Sequence, residues 1–226
     1  MVKVVLSGGG DANDTYLHHA LFAAWLPDEL PLLYIPGDAY PAADTYRWLC
    51  GVMAPFGIVS ITMWADPADY DPGTLLRYGG VYIGGGNTFR MMAKLRTKAM
   101  EPALHEIIAA GRPTFGGSAG AIMLGRDICS CAQMDPNDVE LADTRGLGVV
   151  GDFTIWCHYE PSNDPMIAQF VVDHRHSVLA LSERSAVAVV GSEIIAVGYD
   201  GVVRFSANGK AYVAPGDSCR EVRAYS

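Results

Sequence analysis

Charge is scarce in this sequence, and positive charge is scarcer than negative. Charged residues make up only 18% of its 226 positions, and 16 Lys and Arg face 25 Asp and Glu, for a formal charge of −9. The basic residues are scattered, with no run that could track a phosphate backbone. A chain of this sign repels nucleic acid and anionic lipid surfaces, so neither is an expected partner. Cysteines are few and odd in number: Cys50, Cys129, Cys131, Cys157 and Cys219. Their irregular spacing argues against a disulfide framework and for a reducing compartment. Cys129 and Cys131 stand two apart, which is not zinc-knuckle spacing, and read as ordinary thiols. No apolar stretch is long enough to span a bilayer. The opening run Met1-Val2-Lys3-Val4-Val5-Leu6 lacks the longer apolar core and cleavage site of a signal peptide. The expected location is the cytoplasm.

Apolar residues and glycine are plentiful instead. Half of the chain is hydrophobic and 25 residues are glycine, which allows a sizeable core and many tight turns. No linker divides the sequence, so residues 1–226 read as a single domain. Apolar runs at 2–6, 32–35, 58–63, 81–83 and 113–115 read as strands. Helical patterns cover 14–25, 42–53, 74–78, 88–96, 100–110 and 119–124. Leu17, Leu21, Ala24 and Trp25 share one face of the first helix, and Trp48 and Leu49 point inward from the second. Strand and helix in alternation imply parallel strands with crossover helices. The expected fold is α/β, a three-layer, doubly wound, mostly parallel sheet. The last third changes character. Residues 153–157 read as a strand and 166–174 as a helix, followed by short strands at 186–190, 194–197, 202–205 and 211–213. Asp200-Gly201 and Asn208-Gly209 are hairpin signals. These C-terminal antiparallel hairpins are expected to extend the sheet or to form a small side sheet.

The run Gly116-Gly117-Ser118-Ala119-Gly120 matches the G-x-S-x-G pattern of a nucleophile elbow. A serine on a sharp strand-to-helix turn needs neighbours without bulk, because strand, turn and helix crowd together there. The turn also places Ser118 at the carboxyl end of a strand, where open α/β sheets bind ligands. The Ala119 amide, at a helix N-terminus, would face an oxyanion formed there. A glycine-rich turn that only packs a helix on a sheet is the plain alternative. A second loop, Gly84-Gly85-Gly86-Asn87-Thr88-Phe89, also follows a strand and opens a helix. Three glycines expose backbone N–H groups, and Gly86 would supply the second oxyanion donor. A phosphate loop is disfavoured, since neither a Lys-Ser/Thr pair nor a full G-x-G-x-x-G is present. Gly8-Gly9-Gly10, after the first strand, reads most simply as a turn.

An activated serine needs a base, and the base an orienting acid. His18, His19 and His105 lie in helical patterns and read as surface residues; His174 and His176 flank Arg175 at a helix end. His158 differs, because it ends an apolar strand at the edge where ligands bind. Glu183 is the chosen acid, with Asp164 its competitor and Asp173 a weaker one. Spacing alone does not separate Glu183 from Asp164.

These residues resemble the peptidase E family, the aspartyl dipeptidases among the S51 serine peptidases. The resemblance rests on Gly84-Gly85-Gly86-Asn87-Thr88-Phe89, on Gly117-Ser118-Ala119-Gly120-Ala121 and on Cys157-His158-Tyr159, and runs from about residue 80 onward. It implies a fold like that of class I glutamine amidotransferases, with serine in place of cysteine. It further implies a Ser118–His158–Glu183 triad, an oxyanion hole from Gly86 and Ala119, and dipeptides with N-terminal Asp as substrates. The chain order Ser, His, acid differs from the Ser, acid, His order of α/β-hydrolases. No metal or cofactor is implied. The family's acidic residue downstream of the nucleophile falls on Gln133 without a gap, and on Asp135 only with a shift. Asn87 and Gln133 are the expected substrate-orienting groups. The expected partner is a short peptide, bound by a monomer or homodimer. A related amidohydrolase acting on cyanophycin or isoaspartyl links, and a binding protein without catalysis, are the alternative functions.

Overall fold

Five short apolar segments form the parallel core of the computed structural model, which describes residues 1–66, 69–97 and 100–220. In chain order they are β1 (Lys3–Ser7), β2 (Leu32–Ile35), β3 (Ile61–Met63), β4 (Gly80–Ile83) and β5 (Thr114–Gly117). They lie side by side as β3-β2-β4-β5-β1, all pairs parallel. The helices between them are α1 (Tyr16–Ala23), α2 (Ala42–Met53), α3 (Thr88–Thr97) and α4 (Met100–Ala109), and α5 (Ala119–Leu124) follows β5. The short helix expected over 74–78 is a 3₁₀ helix over Pro72–Arg77, capped by the Asp71 carboxylate.

Alternation along each strand sorts the helices onto two faces. Val4, Leu6, Leu33, Ile35, Val81 and Ile83 share a core with the buried residues of α3, α4 and α5. Val5, Leu32, Tyr34, Tyr82 and Phe115 point the other way, to Phe22 of α1 and to Leu49 and Met53 of α2. Emptying such a site costs about 2–5 kcal/mol for Leu→Ala.

The inward face of α1 is only in part the one the apolar pattern suggested: Leu21 and Trp25 pack, partly buried, against the core, but Ala24 is exposed. His18, His19 and Phe22 are buried, whereas Leu17 is 37% exposed. The two histidines were expected on the surface. They turn inward because each finds a partner there. His18 Nδ1 lies 3.0 Å from Ser7 Oγ, and His19 Nε2 lies 3.0 Å from the Tyr82 hydroxyl. The His19 ring also stacks on Phe115. Trp48, expected inward, is 41% exposed, and Leu49 alone fills that position in the core.

The last third divides between two sheets. β6 (Phe153–Trp156), α6 (Asp164–His174) and β7 (Ser177–Ala180) are followed by β8 (Ser185–Val190), β9 (Glu193–Gly198), β10 (Val202–Ser206) and β11 (Gly209–Val213). The β8–β9 hairpin adds to the main sheet, with β8 antiparallel to β1. The β10–β11 hairpin joins β7 and β6 in a second sheet of order β11-β10-β7-β6. Both expected placements of the hairpins occur, and Asn208-Gly209 lies at the β10–β11 turn. Asp200-Gly201 forms no hairpin: it carries the chain from β9 in the main sheet to β10 in the second, and the β8–β9 turn is Gly191-Ser192. β7 was not among the expected strands: it is four residues long, lies in the apolar run Val178-Leu179-Ala180-Leu181, and follows α6 after two residues, the first of which, Arg175, is left-handed. Trp156, Ile167, Val171, Val178 and Phe205 fill the core between this sheet and α6. Among the described residues no helix is long and apolar enough to cross a membrane.

Candidate active site

β5 ends in Gly116 and Gly117, and the chain turns at Ser118 into α5. Ser118 has φ 50° and ψ −112°, a backbone region that costs a non-glycine residue about 1–3 kcal/mol. The turn is held by the Ser118 amide, which donates to the Ser7 carbonyl at 3.0 Å. The small neighbours are compulsory. A Cβ on Gly116 would sit 2.6 Å from the backbone of Gly120, and one on Gly120 would sit 2.5 Å from the Ile83 carbonyl oxygen.

His158 stands just beyond β6, also left-handed, with φ 51°. Its Nε2 lies 2.8 Å from Ser118 Oγ, and its Nδ1 lies 3.0 Å from Glu183 Oε1. Glu183 occupies the short connection between β7 and β8. Three segments distant in sequence thus meet in one hydrogen-bonded row. The competing acids lie elsewhere: Asp164 binds Lys210 at 2.5 Å and the Tyr159 hydroxyl at 2.8 Å, and Asp173 accepts from Gln169. Lys210 also holds the Asp164 carboxyl below its ordinary range.

The seat for this row is Gly8-Gly9-Gly10, which sequence reasoning took for a simple turn. The Gly8 carbonyl accepts from the His158 amide at 3.1 Å. Gly9 has φ 114°, and a Cβ there would overlap the His158 ring. A Cβ on Gly10 would lie 2.7 Å from the Glu183 carbonyl oxygen. The only sequence signal for this role was a third glycine run at a strand end.

The Gly84-Gly85-Gly86 loop lies against the turn, with the ideal Cβ of Gly85 3.3 Å from that of Ser118. Among the described residues neither the Gly86 nor the Ala119 amide has a hydrogen-bond partner. Gly86 belongs to the loop beside Ser118, and Ala119 opens α5 directly after it. The next residues are committed to holding the loop. The Asn87 amide donates to Asp38 Oδ1 at 2.7 Å, its Oδ1 accepts from the Arg90 amide, and its Nδ2 donates to the Pro136 carbonyl. Asn87, expected to orient substrate, is therefore a clamp between two loops, although it borders the cavity. Gln133 is exposed and does not line the cavity. Asp135 does, and its Oδ2 accepts from the Thr88 amide at 2.8 Å and the Thr88 hydroxyl at 2.6 Å.

These groups border a cavity of about 970 Å³ that runs across the carboxyl ends of the parallel strands. Its one lining Arg or Lys among the described residues is Arg90, which is bound to Asp138 and to Asp38. Those carboxylates hold the guanidinium pKa above its ordinary value. The Cys157 thiol donates to the Ser118 carbonyl at 3.4 Å. Burial pushes the Cys157 thiol well above the usual range and Cys131 up to about 12, so both stay neutral. Among the described residues no group of three His, Cys, Asp or Glu side chains could hold a metal ion.

The sequence profile of peptidase family S51 matches residues 60–197. The chain belongs to that family, and with it to the serine-type peptidases. An uncharacterized peptidase of Listeria monocytogenes is 30% identical to this S51 chain over 120 residues, 51% of the chain and 58% of its own length. That alignment spans under two thirds of the relative. Peptidase E of Pasteurella multocida is 28% identical over 235 positions, covering 95% of the chain and 97% of that protein. The crystal structure of a peptidase from an acI-B1 Actinobacterium superposes with a TM-score of 0.72 at 16% identity, covering 96% of each chain. At that identity the likeness is one of fold.

Proposed function

We propose that this S51 chain hydrolyses short peptides, dipeptides foremost, through an acyl-enzyme on Ser118. The observation that carries the reading is the continuous row Ser118 Oγ–His158 Nε2 at 2.8 Å and His158 Nδ1–Glu183 Oε1 at 3.0 Å. His158 takes the proton from Ser118 as its oxygen attacks the peptide carbonyl. Glu183 orients the ring and balances the imidazolium. The free amides of Gly86 and Ala119 receive the oxyanion, a pair of donors each worth about 10²–10³ in rate. His158 then protonates the leaving amine and the C–N bond breaks. A water, deprotonated by His158, attacks the ester, and the acid leaves Ser118 free.

The doubly wound arrangement of class I glutamine amidotransferases is the proposed frame. Helices on both faces of five parallel strands support it, as does a site at their carboxyl ends. A preference for N-terminal Asp is implied by the resemblance to aspartyl dipeptidases. The cavity offers it little, since Arg90 is already held by two carboxylates. The test is hydrolysis of Asp-Ala, Leu-Ala and Ala-Ala by the wild type and by Ser118→Ala. Turnover in the wild type alone is expected. Equal turnover by both would remove Ser118 from the reaction. Cleavage confined to β-linked substrates would favour an isoaspartyl or cyanophycin hydrolase instead.

A further inference from the structure

We infer that the cavity selects dipeptides bearing a cationic side chain, Lys or Arg, and disfavours those bearing Asp or Glu. The inference rests on the hydrolytic reading above and names the substrate class of that same site.

The first observation is an acceptor buried beside the nucleophile. Ser7 is 1% exposed, yet lines the cavity, and its backbone carbonyl anchors the Ser118 amide. Its Oγ shares a hydrogen bond with Nδ1 of the fully buried His18. Burial holds that ring neutral, with its pKa pushed down to about 4. Among the described residues His18 Nε2 has no hydrogen-bond partner, so the Ser7 contact alone bears on which ring nitrogen carries the proton. In either arrangement the Ser7 hydroxyl keeps a lone pair that can accept from a donor in the cavity.

The second observation is the wall around it. Tyr34, Tyr82 and Phe115 stand in register across β2, β4 and β5, on the face toward α1 and α2. Gly117, the next strand end, has no side chain to fill the space beside them. A Cβ there would be 3.7 Å from the Tyr82 hydroxyl. Trp48 completes the wall from α2. An aromatic wall of this depth suits the methylene stem of a Lys or Arg side chain, with its charged head left at the polar end.

The third observation is charge. Asp11, Asp14, Asp38, Asp44, Asp135 and Glu183 all line the cavity. Arg184 reaches Asp14, but it also reaches Asp200; Arg90 reaches Asp38, but it is tied to Asp138; Arg47 reaches Asp44 from the exposed side of α2. Carboxylates still outnumber guanidinium groups with these partners included. A carboxylate side chain entering such a cavity meets like charge, and an ammonium or guanidinium meets opposite charge.

The experiment is a panel of Lys-Ala, Ala-Lys, Leu-Ala, Asp-Ala and Ala-Asp. At least one Lys peptide is expected to exceed both Asp peptides in kcat/KM by about 10²-fold. Raising salt from about 0.05 to about 0.5 M is expected to lower kcat/KM for that Lys peptide and leave Leu-Ala nearly level. Asp14→Asn is expected to cut the Lys-to-Leu ratio about tenfold, mostly through KM. Asp peptides cleaved as well as Lys peptides, or a salt-independent ratio, would overturn the inference. Calorimetry of Lys-Ala and Asp-Ala on the Ser118→Ala variant reads the same preference without turnover. If no peptide is hydrolysed, the hydrolytic reading fails while the Kd ratio still decides the charge preference.

Discussion

The two sides of the active site are built differently. The nucleophile side consists of adjacent strand ends: Gly84–Gly86 after β4 and Gly116–Gly120 around β5, bound into one parallel sheet. The base side is assembled from three distant pieces. His158 comes from the end of β6 in the second sheet, Glu183 from the β7–β8 connection, and Gly8–Gly10 from the end of β1. One parallel sheet holds the first side, whereas the second depends on a glycine seat and on backbone bonds between segments of both sheets: His158 N–H to the Gly8 carbonyl, Tyr159 N–H to the Leu181 carbonyl and Gly8 N–H to the Ser185 carbonyl. The base side should therefore tolerate less change outside its reacting atoms.

The largest effect tests the row itself. His158→Ala is expected to lower kcat by about 10⁴-fold or more, with KM for Leu-Ala little changed, as read by steady-state kinetics. Glu183→Gln should fall short of that. Its carboxylate is half exposed, so water partly replaces it, and a loss on the order of 10³ is expected. A loss equal to that of His158→Ala would show the acid to be more than an orienting group.

Gly9→Ala contrasts the two sides without touching a reacting atom. The new methyl would collide with the His158 ring and would sit on a residue at φ 114°. Displacing the base by about 1 Å is expected to cost about 10² in kcat. An alanine at Gly57, also left-handed but with open space around it, is the control for backbone strain alone. It should lower Tm without lowering kcat/KM. Equal kinetic effects at the two positions would mean that the seat is not specific.

The smallest expected effect on catalysis, and a measurable one on stability, comes from beneath the cavity. Burial lowers His18 from 6.5 to about 4 and His19 to about 3. Above pH 6.5 both rings are neutral in the folded and the unfolded chain, and this contribution to stability is complete. As pH falls from 6.5 toward about 4, the unfolded chain takes up protons that the folded chain refuses. Stability should therefore fall with pH, on the order of 1.4 kcal/mol per pH unit for each ring. Urea midpoints between pH 7 and pH 4.5 would read this, and His19→Gln should flatten the slope by about half.

Legibility in the sequence follows the same division. The nucleophile side is local, so five contiguous residues around Ser118 and six around Gly86 spelled it out. The strand order of the parallel core and the two fates of the C-terminal hairpins were not written in any one segment, because each depends on pairing between distant strands. The base side was readable only in part. His158 stood out as a histidine ending an apolar strand, but the choice of Glu183 over Asp164 rested on family resemblance. Lys210, which engages Asp164, lies 46 residues further along the chain. The Gly8–Gly10 seat was not legible because His158 and Glu183, which it carries, come from distant strand ends, and the inward turn of His18 and His19 was hidden for a related reason. Histidine in an amphipathic helix looks polar until its buried partners, here Ser7, Tyr82 and Phe115, are brought to it by the fold.

The measurement that bears most directly on the central claim is covalent labelling of the folded protein. A fluorophosphonate loses fluoride to an activated serine and leaves a phosphonyl ester, which intact-mass and peptide mapping locate. One adduct on Ser118 is expected in the wild type, slower labelling in His158→Ala, and none in Ser118→Ala. An unlabelled but folded wild type, or labelling unchanged in Ser118→Ala, would contradict the assignment of Ser118 as the nucleophile.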